Sequence, residues 1–273
     1  MKEIKFTVLM CTYFKDDPYL LKKAIESVFR NSIKPNFFIL TIDGPIPKIN
    51  RQIINNLEKL YSFEVISLKE NVGLALALNS TLKFVKTDWI ARADSDDINL
   101  EKRFSTQLKY AQLNYDVIGS NILEIDRNGK LPNLKKNMPI TNLEIREYIK
   151  SRNPINHMTV FYKKEVIISN GGYPNIYQRE DYGLWAKLMH KNCLFYNVED
   201  ILVHVNGGKS LYKRRGGYKN AIAEIKLQLL LFKCKIKPLG LLIFDLFLRS
   251  AILLLPNKIL ETIYTKILRV KQF

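Results

Sequence analysis

The chain has 273 residues, 47% of them apolar and 25% charged, a composition that can bury a sizeable core and excludes a disordered chain. Its net charge of +17 points to a polyanionic partner such as nucleic acid, an anionic membrane or phosphorylated substrates. Three scattered cysteines, Cys11, Cys193 and Cys234, exclude a disulfide framework and a thiolate metal site, and the N-terminal apolar run is too short for a signal peptide, so a reducing, cytoplasmic setting is expected.

Residues 5–11 (KFTVLMC) are a continuous apolar run, the pattern of a strand buried on both faces. Helical spacing follows over 18–31, with Pro18 suited to a first turn. The reading continues with a strand at 37–43, a helix at 47–60 and a strand at 63–68. A helix beyond Asn71 follows, with Asn71 as its expected cap, then a strand at 88–93 and a helix at 99–114. After Asp116 the pattern changes to strands with an Asn128-Gly129 turn, a helix at 141–150 and another near 163–169. A helix at 179–192 and two strands at 194–198 and 201–205 complete residues 1–205, which read as one domain.

The rest, 206–273, is an extension with 14 Lys/Arg against 3 Asp/Glu, an excess of +11. That asymmetry favours a surface-binding tail over a nucleic-acid binder, and no nucleic-acid partner is expected. Residues 239–255 are 17 long and strongly apolar but contain Asp245 and Arg249, which four-residue spacing puts on one helix face. A spanning helix needs about 20 apolar residues. The segment therefore suits an interfacial helix on the inner face of the cytoplasmic membrane, or a helical subdomain packed on protein.

Alternating strands and helices imply a largely parallel sheet with helices on both faces, and such sheets bind ligands beyond the carboxyl ends of their strands. Three segments fall there: CTYF (11–14), IDGP (42–45) and ADSDD (93–97). The last gathers Asp94, Asp96 and Asp97, which either cap the following helix or hold a cation. A calcium loop lacks its D-x-[DN]-x-[DN]-G pattern, whereas Mg²⁺ or Mn²⁺ needs only one or two carboxylates plus phosphate oxygens. Neither a G-x-G-x-x-G fingerprint nor a P-loop is present, which weakens a dehydrogenase or NTPase reading.

The ordered segments VLMCTYF, TIDGP, ENVGLALALN, ARADSDD, NHMTVF, GGY and REDYGLW resemble glycosyltransferase family 2 over about residues 4–225. RNPINHMTV and LYKRRGGYK are similar to bacterial O-antigen and exopolysaccharide enzymes of the amylovoran type. The resemblance implies an α/β GT-A fold, a Rossmann-like mixed sheet flanked by helices. It implies a nucleotide-sugar-binding half at about 1–118 and an acceptor half at about 119–205. It also implies an inverting transfer of galactose or glucose from a UDP-sugar to a polyprenyl-diphosphate-linked saccharide.

By the same resemblance Cys11, Thr12 and Tyr13 pack around uridine, and Asp43 accepts the uracil N3 proton, although Ile42 stands where the family often has a second acid. Asp94 and Asp96 match the D-x-D motif, Asp96 as metal ligand and Asp94 as ligand or ribose contact, with Asp97 near the donor sugar. Asp181 matches the catalytic base, with its neighbour Glu180 as rival; an inverting transfer needs a carboxylate on the acceptor hydroxyl. Trp185 is either an acceptor platform or core. His204 is a candidate metal ligand and His157 either structural or a ligand. Arg214 and Arg215 suit the diphosphate. The remaining alternative is a non-catalytic sugar-nucleotide or nucleic-acid binding module.

Overall fold

The computed structural model describes residues 4–125, 134–207 and 217–253. The expected turn at Asn128-Gly129, Arg214 and Arg215, and the end of the apolar tail segment lie outside them.

The first half alternates strand and helix: β1 (Phe6–Thr12), α1 (Pro18–Phe29), β2 (Phe37–Ile42), α2 (Lys48–Tyr61), β3 (Glu64–Ser67), α3 (Leu74–Leu82) and β4 (Trp89–Asp94). β5 (Ile98–Asn99) and α4 (Arg103–Ala111) follow. Then come β6 (Val117–Ile125), β7 (Leu134–Lys136), α5 (Asn142–Tyr148), β8 (Phe161–Lys163), α6 (Lys164–Ser169), α7 (Glu180–His190) and β9 (Phe195–Asn206). The tail supplies α8 (Tyr218–Lys233) and α9 (Leu239–Leu253).

One sheet runs β3-β2-β1-β4-β8-β6-β9-β5, with β7 on β6. Helix-linked strands β1 to β4 pair in parallel, as crossover connections require. β8 then runs antiparallel to both β4 and β6, so the sheet is mixed. In β1, Phe6, Val8 and Met10 enter a core against α1, α2 and α4, while Leu9 and Cys11 enter another against α3 and α7. Period-2 alternation thus divides one apolar run between two buried faces.

Three local readings change. Gly73, not Asn71, occupies the N-cap of α3, because the Asn71 amide is used by Asp43, donating to its backbone O at 3.0 Å and its carboxylate at 3.1 Å. α4 starts at Arg103 rather than 99, since Ile98 and Asn99 pair with His204 and Val203 instead. The two strands expected at 194–205 are one, β9, whose register on β6 shifts at Ser120–Ile122, an irregularity of the kind that re-aims side chains.

The tail is partly core. Leu227 and Leu231 of α8 are fully buried and share the cluster of Trp185 and Leu188. Asp245 and Arg249 do share a face of α9, at 3.0 Å. Among the described residues no helix is long and apolar enough to cross a membrane.

Gly44 has φ +83°, and a Cβ there would lie 2.5 Å from the Asn71 backbone nitrogen. Left-handed backbone is costly for a side chain, and here the clash is with main chain. Gly44→Ala should lose about 2 kcal/mol or more, read as a lower urea midpoint at unchanged m-value. A midpoint within error of the parent would show that the loop at Asn71 yields freely.

Candidate active site

The carboxyl ends of β1, β2 and β4 lie side by side: Cys11 pairs with Thr41 and with Asp94, and Thr12 with Ile42. The three segments expected to converge therefore do so. Asp16, unremarked in the sequence, joins two of them. One carboxylate oxygen accepts from Thr12 Oγ1 (2.8 Å), the Tyr13 amide (3.2 Å) and Ser95 Oγ (2.6 Å). Burial raises its pKa, opposed by these donors. Thr12 is buried and Tyr13 half-buried above it.

Asp43 is 4% exposed. Besides Asn71, it accepts from the amides of Val72 (2.8 Å) and Gly73 (3.0 Å). It clamps the approach to α3 while lying at the tip of β2. Both of its carboxylate oxygens accept from the 71–73 segment, which is the turn role the sequence offered as the alternative to base reading.

Asp94, Asp96 and Asp97 each offer a carboxylate oxygen within 4.8 Å of the others. Asp97 is 2% exposed. Burial first, then Asp96 and Asp94, raise its pKa well above the ordinary carboxylate range, against a 2.9 Å hydrogen bond from the Asn206 amide. Such a set suits a hard divalent cation: all donors are oxygens, and a cation relieves their repulsion. His204 sits on β9 opposite Ile98, half-buried, and is not part of that cluster.

Two buried arginines lie beneath the acids. Arg92 Nη2 is 2.6 Å from Asp94 Oδ1, and its Nε and Nη1 have no hydrogen-bond partner among the described residues. Arg103 is fully buried and binds the Arg92 carbonyl (2.6 Å), Gln107 (3.2 Å) and Asn99. Burial pulls its pKa down to about 9. Sequence reading missed both; the only signal was their place inside apolar or helical runs.

Glu180 and Asp181 open α7. Asp181 accepts from Asn153 Nδ2 (2.6 Å) and the Tyr182 amide (2.7 Å). Burial raises its pKa against those donors. Glu180 is pushed to about 7, first by burial and then by Asp181. The positive charge of Arg92 opposes the upward shift of both Asp97 and Glu180, while its one ion pair among the described residues is to Asp94. Trp185 is fully buried against Phe195 and His157, which rules it out as an acceptor platform. His157 is buried too, 3.0 Å from the Tyr173 hydroxyl, with burial holding it neutral.

The family model "Glycosyl transferase family 2" matches residues 7–180. The chain is 36% identical to an Escherichia coli UDP-Gal:alpha-D-GlcNAc-diphosphoundecaprenol beta-1,3-galactosyltransferase, covering 97% of each. It is 30% identical to the amylovoran biosynthesis glycosyltransferase AmsE of Erwinia amylovora, over 96% of this chain and 98% of that one. S. aureus TarS 1-349 in complex with UDP-GlcNAc superposes with a TM-score of 0.66 at 16% identity, over 90% of this chain and 72% of that one, a likeness of fold alone.

Glu180 gives a stability test. Its folded pKa, about 7, exceeds the ordinary 4.5, so its contribution is fully present below 4.5 and is lost as pH rises through 7. Glu180→Gln should therefore be more stable than the parent at pH 8, on the order of 1–3 kcal/mol by urea titration, with the gap closing near pH 4.5. A gap that is the same at both pH values would place Glu180 in water.

Proposed function

The chain belongs to glycosyltransferase family 2, and on that premise we propose that it moves galactose, or else glucose, from a UDP-sugar to a polyprenyl-diphosphate-linked saccharide with inversion. The work would belong to O-antigen, capsule or exopolysaccharide assembly, carried out at the inner face of the cytoplasmic membrane. The observation that carries this reading is the carboxylate trio at the end of β4, whose oxygens lie within 4.8 Å of one another, beside which stands a second acidic pair at the start of α7. The two relatives' names supply the substrate class.

In this reading residues 1–118 hold the donor, 119–205 the acceptor, and 206–273 form the extension. Thr12, Tyr13 and Asp43 line the nucleotide. Asp94, Asp96 and Asp97 would hold Mn²⁺ or Mg²⁺, His204 lying outside their cluster; such an ion would neutralise charge on a leaving diphosphate. Arg214 and Arg215 remain candidates for the diphosphate.

Asp181 is the base. Burial raises the pKa of both acids, but two N–H donors fix the Asp181 carboxylate and oppose that rise, whereas the neighbouring Asp181 charge adds to it at Glu180. The acceptor hydroxyl attacks the anomeric carbon opposite the diphosphate and gives its proton to Asp181. The glycosidic bond forms as the bond to the β-phosphate oxygen breaks, and UDP departs with the electron pair.

α9 presents Leu239, Ile243, Phe244 and Phe247 to solvent, the last 77% exposed. Beside a tail of excess charge +11, this face suits an anionic bilayer, where each nearby basic residue adds roughly 1 kcal/mol.

Release of UDP from a donor panel with a synthetic GlcNAc-diphosphate-lipid tests the substrate class, and no turnover with any UDP-hexose would reject it. Asp96→Ala should abolish metal-dependent turnover; near-normal rates in EDTA would remove the cation from the site. Asp181→Asn should keep UDP-sugar affinity and lower kcat at least about a hundredfold. Should Glu180→Gln be the more damaging, the two roles exchange. The protein should sediment with anionic vesicles and be released by salt. Phe247→Ser should halve sedimentation or more, and a full-length chain that never binds such vesicles would contradict the membrane assignment.

A further inference from the structure

Arg179 immediately precedes the Glu180–Asp181 pair and does not reach into the crevice. Its Nε donates instead to Glu224 Oε2 on α8, at 3.1 Å, while Nη1 donates to the Gln178 carbonyl at 2.8 Å. Glu224 is 5% exposed. Its other oxygen accepts from Gln228 Nε2 at 2.7 Å and lies 3.9 Å from Arg249 Nη1.

On α9, Arg249 pairs with Asp245 at 3.0 Å and donates through Nη2 to the Ser151 carbonyl at 2.7 Å. Lys237 closes the cluster by donating to Asp245 and, at 2.7 Å, to Gln228 Oε1. Ser151 lies two residues before Asn153, the amide that holds Asp181. The tail therefore grips both segments that carry the pair: Arg179 on one side and the Ser151–Asn153 loop on the other.

Adhesion alone does not account for this. Buried ion clusters are weak stabilisers, because desolvation offsets most of their attraction and apolar residues of the same volume do as well. Apolar contact is already supplied here: Leu227 and Leu231 are fully buried, and Gly183 lets Leu230 close onto α7, where a Cβ would meet its methyl at 3.1 Å. What the cluster adds is direction and charge. It holds three cations and two anions, a formal +1, against two carboxylates.

We propose that α8 and α9 form a positioning element of the active site, in which Glu224 orients Arg179 and Arg249 anchors the Ser151–Asn153 loop, together setting the geometry and charge of the Glu180–Asp181 pair. This rests on the reading of that pair as the catalytic base and its neighbour. The charged or titratable groups facing the pair are Arg92 from β4, Lys136 from β7, Tyr173 and Arg179. Of these, Arg179 is bonded to α8 through Glu224. Its cation lowers the pKa of both acids, and Glu224 partly neutralises it.

Opposite signs follow for two variants. Arg179→Gln removes the cation, so the acid limb of kcat against pH should move up. Glu224→Gln leaves the cation unopposed, so the limb should move down. Each should lower kcat about tenfold or more, with the KM for UDP-sugar within about twofold. Arg179→Lys should keep the limb in place and lose rate only. Arg249→Met, which cuts the Ser151 link, should lower kcat without weakening UDP binding by calorimetry, and it serves if Glu224→Gln does not fold. Limbs that stay put, or move in the same direction, while Tm falls would reduce the cluster to a structural brace and overturn the proposal. Asp181→Asn and Glu180→Gln are measured alongside. If both retain full kcat, the assignment of the base fails. If they abolish turnover while the Arg179, Glu224 and Arg249 variants match the parent, this inference fails alone.

Discussion

Arg92 is the constraint around which the site is arranged. A protein with a net charge of +17 nevertheless packs three carboxylates within 4.8 Å at one strand end. Burial first, and then the like charges of Asp96 and Asp94, make Asp97 resist ionisation. The buried guanidinium beneath supplies the opposing charge, and Arg103 spends its donors on the β4 backbone and on Gln107 of its own helix. Arg92 is balanced by Asp94, and Arg103 by the carbonyl and amide oxygens that accept from it. The arrangement is one electrostatic unit built through the sheet, not a surface cluster.

The same guanidinium extends its influence to the other side of the crevice. It lowers the pKa of Glu180 as well as Asp97, although β4 and α7 are separated by much of the chain. The antiparallel insertion of β8 beside β4 is what brings them together. Its strand follows the His157–Thr159 turn, and the Arg92 amide donates to the Val160 carbonyl at 2.9 Å. The mixed sheet is thus the means by which the later strands are laid against β1 to β4.

Periodicity made β1 to β4 and their helices readable, because a buried parallel strand is a continuous apolar run and a surface helix is not. The acidic trio was readable for the same reason: it stands where such a run stops. What was not readable depends on tertiary partners. Asn71 has the chemistry of a helix cap, yet Asp43 claims its amide. Ile98 and Asn99 have the spacing of a helix start, yet β9 pairs with them. Asp16 looks like any loop acid until Thr12 and Ser95 close on it. Trp185 carries no mark of being core rather than platform; its burial against His157 and Phe195 decides that.

The tail was read as an appendage because its charge and hydropathy differ from the rest, and composition cannot distinguish a helix that lies on a membrane from one that lies on protein. The structure assigns the two properties to different faces. Lys237, Asp245 and Glu224 are buried, which uses part of the tail's charge internally, while Phe244 and Phe247 remain in solvent. A charged side chain is expensive inside and an aromatic one is unfavourable outside, so both departures from the usual partition occur on the same pair of helices. Glu224 and Arg249 contact the segments on either side of Asp181, and the outward aromatics are exposed to meet an apolar phase. A helix pair with that polarity is oriented: whatever surface it rests on, Arg179 and the Ser151–Asn153 loop are fixed relative to it.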